Sequence, residues 1–151
     1  MEAYRARLTT TEIKHLENTM DNVKLSECSL LLNYYNREHA LKNIIAMSER
    51  HNVVKYYQGD KFCGILCFHV SNSWWTTDVI VEEVFVFAVN GFKGLQRYAI
   101  KTLNEIAKDN NASMIVSGCF FQKNPAMVAN GYKKQGFTET YPYFVKVIKN
   151  E

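Results

Sequence analysis

Near-continuous apolar stretches fill the middle of the chain, and helically spaced ones flank them. Val53 to Gln58, Lys61 to Val70 and Thr77 to Val89 are rich in β-branched and aromatic residues. Gly59-Asp60 and Ser71-Asn72-Ser73 separate them, which predicts three antiparallel strands in a meander. Ahead of them Ala3 to Leu8 alternates weakly as a first strand. Thr9 and Glu12 then stand at capping-box spacing before a helix carrying Ile13, Leu16 and Met20. Ser26 to Tyr35 is apolar and aromatic without a clear period, after which Ala40, Leu41, Ile44, Ile45 and Met47 resume helical spacing. Beyond the meander, Leu95, Ala99, Ile100, Leu103, Ile106 and Ala107 form one face of a helix that Lys108-Asp109-Asn110-Asn111 ends. Met114 to Phe121 reads as a buried strand. Asn124-Pro125 starts another helix, Gly136 stops it, and Phe137 to Ile148 closes the chain as a strand or hairpin. The order β-α-α-β-β-β-α-β-α-β predicts an α/β protein of the α+β kind, a mixed sheet with helices on both faces. Thr77 to Phe121 is its right-handed parallel crossover.

Composition narrows this picture. At 151 residues, 47% hydrophobic and with two prolines, the chain is expected to form a single domain over 1–151. Its net charge of +3 is small and dispersed, which speaks against nucleic acid as a partner. No apolar run is long enough to cross a bilayer and the first residues lack a signal-peptide core, so the expectation is a cytoplasmic protein with no membrane partner. Cys28 and Cys119 lie far from the Cys63/Cys67 pair, which by strand alternation shares one face. Reduced core thiols are expected, and His15, His39, His51 and His69 are too scattered to suggest a metal site.

The richest segment is Glu82 to Arg97, where a strand bearing two carboxylates meets a glycine-containing turn and then an amphipathic helix. Exposed N–H groups at a helix start favour an anion such as a pyrophosphate, and Gly91 and Gly94 let the backbone approach it. The alternative is a strand-to-helix turn with two glycines and no ligand. Glu82 and Glu83 point to opposite faces, so at most one faces a groove. Trp74-Trp75 cannot both fill one core face; at least one is expected at a substrate mouth or a protein interface such as a homodimer contact.

The element order, the strand, loop and helix from Val84 to Ala107, and the closing Asn124…Tyr132…Gly136-Phe137 together resemble the GNAT (Gcn5-related N-acetyltransferase) superfamily over nearly the whole chain. The resemblance implies a fold whose fourth and fifth strands splay. It also implies direct, acetyl-CoA-dependent transfer of an acetyl group to a primary amine of a small molecule or protein, without a metal. It places acetyl-CoA along Phe87, Ala88 and Val89, over Gly91, Phe92, Lys93, Gly94, Leu95, Gln96 and Arg97, and at Asn124. Of the family's Arg/Gln-x-x-Gly-x-Gly/Ala loop only Gly94 is kept: Gly91 replaces the Arg/Gln and Gln96 the last small residue, a change that Lys93 and Arg97 are positioned in sequence to offset. Tyr132 becomes the expected general acid and Glu83 the expected base, because Glu83-Val84-Phe85-Val86-Phe87-Ala88-Val89 is similar to the histone-acetyltransferase version of the strand. The resemblance also implies a backbone N–H at a local bulge near Ala88 or Val89 as a donor to the acetyl oxygen. A core tyrosine and two rim carboxylates are the plainer readings of the same residues.

A dinucleotide-binding Rossmann domain is excluded by position, since its glycines belong on the first strand-helix turn of a parallel sheet. The worn loop leaves a second reading: a catalytically silent GNAT-like structural or interaction protein, similar to small GNAT-fold proteins of bacteriophages.

Overall fold

The computed structural model describes residues 1–22, 35–118, 125–140 and 146. The chain divides into two compact units, Met1–Val23 with Asn36–Gly118, and Lys24–Tyr35 with Cys119–Glu151. In the first, β1 (Glu2–Tyr4), β2 (Val53–Gln58), β3 (Lys61–Asn72), β4 (Val79–Ala88) and β5 (Met114–Val116) form a sheet in sequence order. The first four pair antiparallel and β5 runs parallel to β4. Helices α1 (Thr10–Asn22) and α2 (Arg37–Glu49) precede the meander, and α3 (Leu95–Asp109) links β4 to β5. The second unit contributes α4 (Pro125–Lys134). The predicted segments Ser26 to Tyr34, Cys119 to Phe121 and most of Phe137 to Ile148 lie outside the described residues.

Two apolar layers sandwich the sheet. On one face, Leu95, Ala99, Leu103 and Ile106 of α3 bury against Tyr56, Leu66, Phe68 and Val81. On the other, Leu16 and Met20 of α1 and Ile44 of α2 cover Val53, Ile65, Cys67 and Val89. The predicted capping box forms: Glu12 N–H donates to Thr9 Oγ1 at 3.3 Å, and Thr9 N–H to Glu12 Oε2 at 2.6 Å. The same carboxylate accepts from Lys55 Nζ at 3.0 Å and from the Tyr57 hydroxyl, while Lys55 also donates to the Arg7 carbonyl at 2.9 Å. An ion pair this buried is tolerable because the structure satisfies both partners.

Three expectations are corrected. The first strand is Glu2–Tyr4, earlier and shorter than Ala3 to Leu8. β5 is described only over Met114–Val116, and Met114 and Val116 are exposed rather than buried. Cys63 and Cys67 do not share a face: Cys63 packs with the α3 layer and Cys67 with the α1/α2 layer. The reason is a bulge, since β2 pairs Tyr56 with Gly64 but Tyr57 with Phe62, leaving Cys63 as the extra residue that inverts the alternation.

Candidate active site at the fork between β4 and β5

A second bulge organises the candidate site. β3 pairs Cys67 with Phe85 and Phe68 with Glu83, so Val84 is the extra residue on β4. Before it Val81 faces α3; after it Val86 and Ala88 do, while Phe85 and Phe87 turn to the opposite layer. The described ladder between β4 and β5 ends at the Glu82–Val116 pair, two residues before the bulge at Val84. Glu83 is thus the first residue of β4 beyond its described pairing with β5.

Of the two carboxylates, Glu82 is exposed and Glu83 is buried at 6% exposure, as alternation requires. Ser117 Oγ lies 3.3 Å from Glu83 Oε2 and donates to it. The bulge, however, sits at Val84 and not near Ala88 or Val89. The Val89 N–H is committed to the Cys63 carbonyl at 2.9 Å, which removes it as a donor to a ligand. Because N–H directions alternate along a strand, the Ala88 N–H points away from β3, toward the side of the fork.

Beyond β4 the chain reverses in a tight turn. Asn90 and Gly91 both have positive φ (53° and 68°), and the Phe92 N–H donates to the Val89 carbonyl at 3.0 Å, the requirement of an Asn-Gly type I′ turn. Asn90 Nδ2 ties the turn to the Phe62 carbonyl at 3.2 Å. Gly91 therefore serves the turn, and a Cβ there would meet nothing within 4 Å. Gly94 is the N-cap of α3 in the left-handed region, φ 78°, and supplies no side-chain cap to the first-turn N–H groups. The first turn carries no acid but does carry Arg97, whose guanidinium lies 4.8 Å from the Tyr98 ring centre with Nη2 3.0 Å from the Tyr98 hydroxyl. A cation at the positive end of a helix dipole is offset when an anion joins it. Lys93 is exposed beside it, Phe92 is half-buried against the α3 layer, Leu95 is buried in that layer and Gln96 is half-buried.

Gly64 is a site-supporting residue that the sequence reading passed over. It pairs with Ala88 at φ 144°, and a Cβ there would lie 2.2 Å from the Phe87 carbonyl oxygen and 2.7 Å from Leu95 Cδ2. Only glycine lets the start of α3 settle onto the end of β4. An isolated glycine in an otherwise apolar strand was the available signal. Ser117 and the bulge at Val84 left none.

In the second unit, Tyr132 is buried at 7% exposure, and its place is set by a helix stop. The Phe137 N–H donates to the Tyr132 carbonyl at 3.1 Å and the Gly136 N–H to the Lys133 carbonyl at 3.1 Å, with Gly136 at φ 87°. This is a Schellman motif, completed by Tyr132 and Phe137 rings 5.1 Å apart edge to face. The Tyr…Gly-Phe spacing is thereby accounted for by capping. Asn124 lies outside the described residues.

A five-stranded mixed sheet with helices on both faces and a glycine turn leading into α3 is the fold of GNAT acetyltransferases. The chain is similar to the ribosomal-protein-alanine N-acetyltransferase of Brucella melitensis biovar Abortus 2308, with a TM-score of 0.66 at 9% identity over 98% of this chain and 100% of that one. It is similar also to a GCN5-related N-acetyltransferase of Ralstonia eutropha JMP134, with a TM-score of 0.67 at 9% identity over 97% of each. A tetramutant of the BH1408 protein of Bacillus halodurans gives a TM-score of 0.69 at 9% identity over 98% and 100%. These likenesses are of fold. No family model and no curated protein sequence matches the chain.

Proposed function

We propose that this protein is an acetyl-CoA-dependent N-acetyltransferase that moves the acetyl group directly to a primary amine. The observation that carries the reading is the buried Glu83 carboxylate beside the bulge in β4, just past the last described pair with β5. The first-turn N–H groups behind Gly94, with Lys93 and Arg97, fit a pyrophosphate in charge and in the room that the glycines leave. Bound acetyl-CoA supplies the activated acyl carbonyl.

The chain's own residues do the rest. Glu83, directly or through water, takes a proton from the acceptor ammonium so that the neutral nitrogen attacks the carbonyl carbon; the C–N bond forms as the C–S bond breaks, and the nitrogen's second proton leaves through water to the phenolate that protonating the thiolate leaves on Tyr132. The Ala88 N–H is the assigned donor to the carbonyl oxygen, a role Val89 is denied by its bond to Cys63. Tyr132 gives its phenolic proton to the departing thiolate, a role that rests on the resemblance and on phenol chemistry. The acceptor is a small molecule or a protein amine, and we read residues 1–151 as one acetyltransferase domain acting in the cytoplasm.

The test is release of CoA thiol from acetyl-CoA with spermidine, glucosamine, an alanyl tripeptide and a lysine-containing peptide as acceptors. Turnover with one of them that falls at least about a hundredfold in Glu83→Gln is expected; no turnover above buffer with any acceptor contradicts the reading. One observation favours a second, a silent interaction protein: Trp74 is 96% exposed and Trp75 57% exposed in the β3–β4 turn.

A further inference from the structure

Among the described strands, β4 and β5 are joined by backbone pairing at Ile80–Met114, Val81–Ile115 and Glu82–Val116. The next register step would be Glu83 with Ser117. At this step the connection passes to the side chains, Ser117 Oγ donating to Glu83 Oε2 at 3.3 Å. Both residues project toward α3, because Val81 and Ile115, two residues earlier on each strand, pack in that layer. The bulge residue Val84 follows directly on Glu83, which pairs with Phe68 of β3.

We infer that Ser117 is a positioning residue for Glu83, its hydroxyl orienting the carboxylate at the step after the last described β4–β5 pair. The inference rests on the acetyltransferase reading for its catalytic consequence but not for the contact itself. A serine has one O–H to donate and a carboxylate only accepts, so the bond has one sense and restrains the carboxylate from the Ser117 side. A base must be held within hydrogen-bond reach of the proton it abstracts, and a small misplacement costs rate rather than affinity.

The experiment compares wild type, Ser117→Ala, Ser117→Thr, Glu83→Gln and the Ser117→Ala/Glu83→Gln double variant in CoA release, using the best acceptor of the panel above. The ¹³Cδ resonance of Glu83 is followed in parallel at fixed pH. The inference expects Ser117→Ala to lower kcat about tenfold with the acetyl-CoA KM within about twofold, Ser117→Thr to recover most of the loss, and no further loss in the Glu83→Gln background. It expects the Glu83 resonance to move in the alanine variant and return in the threonine one. Equal losses in both backgrounds, or an unmoved resonance, overturn it. A wild type without turnover overturns the acetyltransferase reading instead, and the resonance then decides the Ser117 contact alone.

Discussion

Gly64 and Glu83 show how far single residues bear on the site. Replacing Gly64 by alanine forces a Cβ into the Phe87 carbonyl and the Leu95 side chain at a φ that only glycine tolerates. The expected cost is about 3 kcal/mol or more, read as a loss of unfolding free energy in urea with the m-value unchanged. The neighbouring Gly59, around whose Cβ position nothing lies within 4 Å, is the control for positive φ alone, expected to cost about 1 kcal/mol. Glu83→Gln keeps the volume and the bond from Ser117 but cannot take a proton. It is expected to leave acetyl-CoA affinity within about twofold while lowering turnover about a hundredfold, to a residual rate that is still measurable. Binding lost together with turnover would instead make Glu83 structural. At this scale the sequence was partly legible. Glu82 and Glu83 separate by alternation as expected, yet the bulges at Cys63 and Val84 invert that alternation invisibly, because apolar residues on either side of each bulge suit both buried faces.

Among elements, α1 and the meander are tied by the Glu12–Lys55–Tyr57 cluster. Burial alone would push the Glu12 carboxyl up, but the Tyr57 hydroxyl, the Thr9 N–H and the Lys55 ammonium outweigh it and hold it below the usual carboxylate range. A depressed folded-state value stabilises the fold above the ordinary glutamate range, and that contribution is lost as the pH falls through the lower, folded-state value. Wild type is therefore expected to lose stability in acid more steeply than Glu12→Gln. At neutral pH the variant itself costs about 3–5 kcal/mol, because Lys55 is left charged and buried. Thermal melts of both proteins across the acid range check the sign. In the second unit, Gly136→Ala strains the Schellman turn by about 1 kcal/mol, and a circular-dichroism melt reads the loss. Helices and strands of the first unit were legible because capping box, meander and α3 stripe each follow from local chemistry. The Tyr132…Gly136-Phe137 spacing was legible as a helix stop, and the Schellman cap is what it forms.

For the whole molecule, the proposed function requires that the end of β4 and the turn into α3 take acetyl-CoA, although the loop keeps only Gly94 of the family pattern. The backbone there is a type I′ turn pinned by Asn90 and a glycine N-cap that leaves the helix start without a side-chain cap, a setting that suits an anion. Calorimetric titration of acetyl-CoA into the full chain, with desulfo-CoA and ADP as separate ligands, tests this most directly. The account predicts saturable micromolar binding of acetyl-CoA, weaker binding of ADP, and retention of most of the affinity by desulfo-CoA. Absence of heat and of saturation at millimolar acetyl-CoA would contradict it and turn attention to the exposed Trp74-Trp75 turn.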